Sequence, residues 1–174
     1  LSYLPSIPNM HIMAPKNKWE LSDMLKYAVE FDGPIALRYP RGEAYDGLKE
    51  YRRPIEYGKS EVIYEEEDIA LLAVGNMVKV RKNLKEIGYS CTLVNARFVK
   101  PIDTEVLDML SADHKLLVTM EENVRSGGYG EKVMDYVVEQ ELPVKLLNIS
   151  LPDEYVEHGN VALLYEEVGI DAQT

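Results

Sequence analysis

Arg38-Tyr39-Pro40-Arg41-Gly42 is the segment of this 174-residue chain best suited to hold an anion. It follows Ile35-Ala36-Leu37, which reads as a strand of a parallel sheet, and open α/β sheets bind ligands beyond the carboxyl ends of such strands. A guanidinium offers phosphate or carboxylate two parallel charge-assisted bonds, and Pro40 stiffens the approach. The same arginines also suit plain ion pairs on an acid-rich surface, and both readings stand at this point. A second segment, Glu121 to Gly130, also lies between an apolar run and a helical pattern. Its glycines, Gly127, Gly128 and Gly130, permit close backbone approach, and a helix N-terminus attracts anions. The spacing is not that of a dinucleotide fingerprint, however, and Glu121 and Glu122 would repel phosphate. Paired carboxylates could exchange protons, but neighbours at a strand end point in different directions. A structural or interface role is therefore favoured for Glu121, Glu122 and Asn123. His158 in a carboxylate-rich loop and His11 on an apolar strand read as hydrogen-bonded structural residues, and Cys91 as core. No nucleophile elbow occurs. Nor is there any thiamine, nucleotide or metal motif, so no catalytic, cofactor-binding or metal-ligating residue is assigned.

The elements that must position these residues fall into two blocks. In the first, Met10 to Ala14 reads as a buried strand and Asn17-Lys18-Trp19-Glu20 as a capping box, with Glu20 reaching back to the cap. Trp19, Leu21, Met24, Leu25, Ala28 and Val29 recur at helical spacing over residues 17–31. Asp32-Gly33-Pro34 stops that helix, and a strand over 35–39 completes a βαβ unit with a right-handed crossover. Residues 43–58 read as a linker, with Arg52-Arg53 as solvated surface. The second block, 59–174, alternates strands at 69–74, 91–95, 115–120 and 144–149 with helices at 77–87, 104–110, from the glycine loop to about 140, and 161–168. Asp103 is placed to cap the second of these helices, and Val78, Leu84 and Ile87 to line the inner face of the first. The fold class is therefore α/β: a doubly wound, largely parallel sheet. The first block, with two strands, reads as the tail of a larger α/β domain.

Composition narrows the function. Thirty acidic residues against 19 basic ones leave a net charge of -11, which argues against nucleic acid as a partner. No apolar run reaches membrane-spanning length and no signal peptide is visible, so a soluble, cytoplasmic protein is expected. A single cysteine excludes an internal disulfide. The chain begins at Leu1 rather than Met, which reads as a processed product, a designed piece or an ordered fragment.

Together the segments resemble the 1-deoxy-D-xylulose-5-phosphate synthase family. Leu1-Ser2-Tyr3-Leu4, Ile7-Pro8-Asn9-Met10, Met13-Ala14-Pro15, Asp32-Gly33-Pro34 and Arg38 to Gly42 are similar to the later part of its pyrimidine-binding domain (1–42 here). Asn95-Ala96-Arg97-Phe98-Val99-Lys100-Pro101, Glu121-Glu122-Asn123 with Gly127-Gly128, and Leu151-Pro152-Asp153 with Glu157-His158-Gly159 are similar to its transketolase-like C-terminal domain (59–174 here). The resemblance implies a homodimeric transferase that uses thiamine diphosphate and Mg²⁺. Such an enzyme decarboxylates pyruvate and joins the two-carbon unit to glyceraldehyde 3-phosphate, on the way to isoprenoids, thiamine and pyridoxal. It also implies that the cofactor- and magnesium-binding residues lie upstream, so this segment alone is expected to be inactive and to bind no cofactor. One substrate-binding role carries over: Arg41 matches the contact to the acceptor's phosphate, with Arg38 structural. The rival readings are another transketolase-like thiamine enzyme and a non-catalytic dimerisation or regulatory module.

Overall fold

A computed structural model describes residues 2–171 of the chain. Leu1, which opens the quoted Leu-Ser-Tyr-Leu stretch, and the last three residues of the second block lie outside the described residues. The N-terminal block runs from β1 (His11–Met13) through α1 (Lys18–Glu30) to β2 (Ile35–Leu37). β1 and β2 pair in parallel, Ile12 opposite Ala36, as the βαβ pattern requires. Asn17 caps α1, its side chain accepting from the Glu20 N–H at 2.9 Å. The capping box is only half formed: Glu20 accepts from the backbone N–H of Lys16, at 2.7 Å, rather than from that of Asn17. The inner face of α1 is also narrower than its periodicity suggests. Met24 is buried and Trp19 and Leu21 are half-buried, but Leu25 is 51% exposed and Val29 86%.

The second block adds β3 (Glu61–Tyr64), β4 (Asp68–Ala73), a 3₁₀ turn (Gly75–Lys79) entering α2 (Val80–Glu86), β5 (Thr92–Asn95), β6 (Phe98–Lys100) and α3 (Thr104–Asp113). Then come β7 (His114–Val124), α4 (Tyr129–Glu139), β8 (Lys145–Leu151) and α5 (Val161–Glu167). Five strands form one sheet in the order β3-β5-β4-β7-β8, parallel throughout except for the antiparallel β3 edge. Alternation along β4 sends Ala70 and Leu72 to one apolar layer and Leu71 and Ala73 to the other, so both faces are covered. Asp103 caps α3 as expected, its carboxylate accepting from the Val106 N–H. The α2 region is shorter than its spacing implies, and Ile87 turns outward.

Two strands escape a reading of apolar pattern. β3 carries Glu61 on its buried face, which breaks the alternation. β6 has three residues and belongs to another sheet: it pairs antiparallel with β1, giving the order β2-β1-β6. The first block is thus stitched to the second by backbone hydrogen bonds. Residues 43–58 form no helix or strand, yet Tyr45, Leu48 and Tyr51 pack on one core layer and Ile55 on the small core around Met13, Met24 and Phe98. Arg52, expected as solvated surface, makes two hydrogen bonds to Asp23, at 2.6 and 2.7 Å.

Beneath this seam lies a cluster of four charged side chains, each at most 3% exposed. The Lys16 ammonium meets Glu20 Oε1 at 2.9 Å and Glu61 Oε2 at 2.6 Å. Arg97 reaches the same two carboxylates at 2.8 and 3.2 Å, and Asn95 Nδ2 donates to both Glu20 oxygens. Burial pushes the Glu61 carboxyl up, but the Lys16 hydrogen bond and the charges of Arg97 and Lys16 outweigh it and hold it below its usual range. A carboxyl so held stabilises the fold above its unfolded pKa, near 4.3, and loses that contribution as pH falls through the lower folded value. Lys16→Met, which strands two buried carboxylates with one cation, is expected to cost about 3–5 kcal/mol in urea unfolding. Glu61→Gln is expected to flatten the acid side of the stability–pH curve.

Candidate functional site

Past the carboxyl end of β2 the chain makes one more backbone bond to the sheet, Arg38 N–H to the Met13 carbonyl at 2.8 Å. Among the described residues no backbone–backbone hydrogen bond then forms until Tyr45, whose carbonyl accepts from Lys18. Arg38 to Ala44 is therefore a strap across the carboxyl ends of β1 and β2, the edge where an open sheet binds ligands. The two arginines of the strap part company. Arg38 turns toward β7, where Nη1 meets Glu122 Oε2 at 2.5 Å and Nη2 donates to the Glu122 carbonyl at 3.3 Å. Arg41 is exposed and, among the described residues, has no carboxylate partner. It lines a cavity of about 370 Å³ with Tyr39, Tyr45, Leu21, Asn17 and Asn76. The ion-pair reading holds for Arg38. Arg41 is in no ion pair of this kind among the described residues and faces the cavity.

Glu121, Glu122 and Asn123 lie inside β7, which runs further than its apolar part, and they point three ways. Glu121 is buried and accepts from the N–H groups of Tyr129 and Gly130, both at 2.8 Å, at the start of α4. Burial raises its pKa despite those two bonds. Glu122 holds Arg38. Asn123 donates to the Ser2 hydroxyl at 3.2 Å, and that hydroxyl donates to the Ser126 carbonyl at 2.9 Å. The glycine turn is thus a structural device: Gly127 has φ +73° and sits against Ser2, while the Lys132 ammonium donates to the carbonyls of Gly127 and Gly128.

The histidines stay apart from this region. His11 Nδ1 faces the Pro34 carbonyl, so it donates there and leaves Nε2 to accept from the Tyr57 hydroxyl at 3.0 Å. His158 lies in the exposed loop between β8 and α5. Cys91 is buried in the core, with its thiol pushed up by burial. Among the described residues no three His, Cys, Asp or Glu side chains converge as a metal site. No helix among them is long and apolar enough to cross a membrane. What the sequence reading missed was the cluster of Lys16, Glu20, Glu61, Asn95 and Arg97. The signals available were the i, i+4 pair Lys16/Glu20 and a charged Glu61 amid β-branched residues.

A mostly parallel sheet covered on both faces, joined by β6 to a second, smaller α/β unit, is the architecture of a two-domain α/β region. The model of the transketolase C-terminal domain matches residues 58–174, and that of the transketolase pyrimidine binding domain matches residues 1–46. The chain belongs to the transketolase family. Within it, the chain is 50% identical, over its whole length, to the 1-deoxy-D-xylulose-5-phosphate synthase of Lachnoclostridium phytofermentans. It is 42% identical over 98% of its length to that of Syntrophomonas wolfei, and 40% over 99% to that of Clostridium tetani. It spans 29%, 27% and 28% of the length of these relatives, respectively. Among solved structures it is similar to a split-gene transketolase in an inactive β4 tetramer. That likeness has a TM-score of 0.87 and 26% identity, over 99% of this chain and 57% of that one.

The β7–α4 turn makes its own prediction. A Cβ on Gly128 would lie 2.5 Å from Glu121 Oε1 and 2.8 Å from the Val124 carbonyl, and the latter is backbone that cannot step aside. Gly128→Ala is expected to destabilise the chain by about 1–3 kcal/mol, the usual cost of overpacking, read as a lowered thermal midpoint.

Proposed function

We propose that this chain is the C-terminal part of a 1-deoxy-D-xylulose-5-phosphate synthase, a cytoplasmic, homodimeric transferase. The parent condenses pyruvate with glyceraldehyde 3-phosphate, with loss of CO₂. The role of this segment is to bind the phosphate of the acceptor aldehyde. The observation that supports it is the unpaired guanidinium of Arg41, on a strap over the carboxyl ends of β1 and β2, beside an arginine that is already neutralised. Thiamine diphosphate and Mg²⁺ serve the parent enzyme. Among the described residues no three His, Cys, Asp or Glu side chains converge, so no residue of this segment is assigned to hold that cation. Leu25 and Val29 on α1 are apolar surface that the remainder of the parent, or its second copy, is expected to cover.

In the intact synthase, Arg41→Ala is expected to weaken capture of glyceraldehyde 3-phosphate while sparing pyruvate. A charge-assisted bond of this kind contributes roughly 1.5–3 kcal/mol, about 10- to 100-fold in kcat/KM. Arg41→Lys keeps the charge, loses the fork and falls between the two. Equal losses for phosphorylated and non-phosphorylated aldehydes, or no loss for either, would remove Arg41 from this role. The segment alone is expected to turn over no substrate and to show no saturable uptake of thiamine diphosphate. Calorimetry with and without Mg²⁺ measures this, and Mg²⁺-dependent binding would contradict it.

A further inference from the structure

We infer that Glu122, on the C-terminal domain, is a positioning residue for the acceptor's phosphate, acting through Arg38 on Arg41. The inference rests on the reading of Arg41 given above and adds to it the element that holds the strap in place. After the Arg38 N–H bond to Met13, the only anchors the described contacts give the start of the strap are the two Arg38–Glu122 hydrogen bonds. They are sheltered: the Arg38 side chain is 24% exposed and that of Glu122 11%. Where the pair is so shielded, charge-assisted bonds are not dissipated by water as at an open surface. One further contact, and the geometry of the pair itself, leave Arg38 little freedom. The guanidinium lies against the turn after β4, with Nη1 3.7 Å from where a Cβ on Gly75 would sit. The Glu122 backbone carbonyl binds the second guanidinium nitrogen, which fixes the plane of the fork.

Only Tyr39 and Pro40 separate this anchor from Arg41, and the proline ring fixes one of the backbone angles between them. Tyr39 is exposed and contributes little restraint of its own. Where the guanidinium of Arg41 sits in its cavity is therefore set from the Arg38 end, by a carboxylate on a different domain. Glu122 touches no ligand in this account. Its negative charge also neutralises Arg38, so that a phosphate drawn to the strap is not divided between two arginines.

The test is made in the intact synthase with Glu122→Gln, which keeps the shape and removes the charge. The readout is the ratio of kcat/KM for glyceraldehyde 3-phosphate to that for glyceraldehyde, which does not depend on the fraction of enzyme folded. The ratio is expected to fall about tenfold, through the KM for the phosphorylated aldehyde, with the KM for pyruvate unchanged. Arg38→Gln is expected to do the same, and the double variant to be no worse than either single one, since both break one contact. Glu122→Asp should recover part of the loss. If Arg41→Ala lowers the ratio and Glu122→Gln does not, the positioning role is refuted while the reading of Arg41 stands. If Arg41→Ala leaves the ratio unchanged, the acceptor reading fails, and this inference with it.

Discussion

Lys16, Glu20, Glu61 and Arg97 are four charges almost wholly withdrawn from water, and they neutralise one another two against two. Withdrawing each ion costs several kcal/mol even after relaxation, so the cluster is tolerable only when every bond closes. The four residues come from the loop after β1, from α1, from β3 and from the turn between β5 and β6. Only one relative placement of those elements satisfies them all. The Arg97 guanidinium also donates to the carbonyls of Arg53 and Pro54, so the irregular 43–58 segment is fastened to the same point. The β1–β6 pairing lies directly above, where Ala14 N–H donates to the Arg97 carbonyl at 2.8 Å. Backbone pairing supplies adhesion between the two blocks, and the buried charges supply its uniqueness.

That fixed seam gives the far end of β7 its meaning. Because the two blocks meet in one register, three successive residues of one strand can serve three different places. Glu121 closes the N-terminus of α4, Glu122 reaches the strap of the first block, and Asn123 ties down the segment that begins at Ser2. Alternation along a strand sends Glu121 and Glu122 to opposite faces, which rules them out as a cooperating carboxylate pair. The glycines that follow belong to the same arrangement, since Gly127 must clear Ser2 and Gly128 must clear Glu121.

Much of this was legible in the residues themselves. The βαβ start, the Asn17 and Asp103 caps, the four parallel strands of the main sheet and the positions of α3, α4 and α5 follow from local apolar periodicity and capping chemistry, which act within a few residues. The resemblance carried by Arg38 to Gly42 and Asn95 to Pro101 was likewise in the sequence, and it was that resemblance, rather than the residue types, that singled out Arg41 over Arg38.

Tertiary structure alone decided the rest, and in each case the partners are far apart in the chain. β6 is too short to read as a strand until β1, more than eighty residues earlier, pairs with it. β3 looks irregular because Glu61 faces inward, and a buried glutamate makes sense only once Lys16 and Arg97 meet it. Glu20 leaves the second half of its capping box unmade, its carboxylate being held by the nearby Lys16 backbone N–H and by the guanidinium of the distant Arg97. The same holds at the candidate site. From residue types alone two arginines and two glutamates could pair in several ways, and only the fold, by setting Glu122 at 2.5 Å from Arg38, determined which cation was neutralised. Local pattern encodes periodicity and caps, whereas the pairing of buried charges depends on which strands the chain brings side by side.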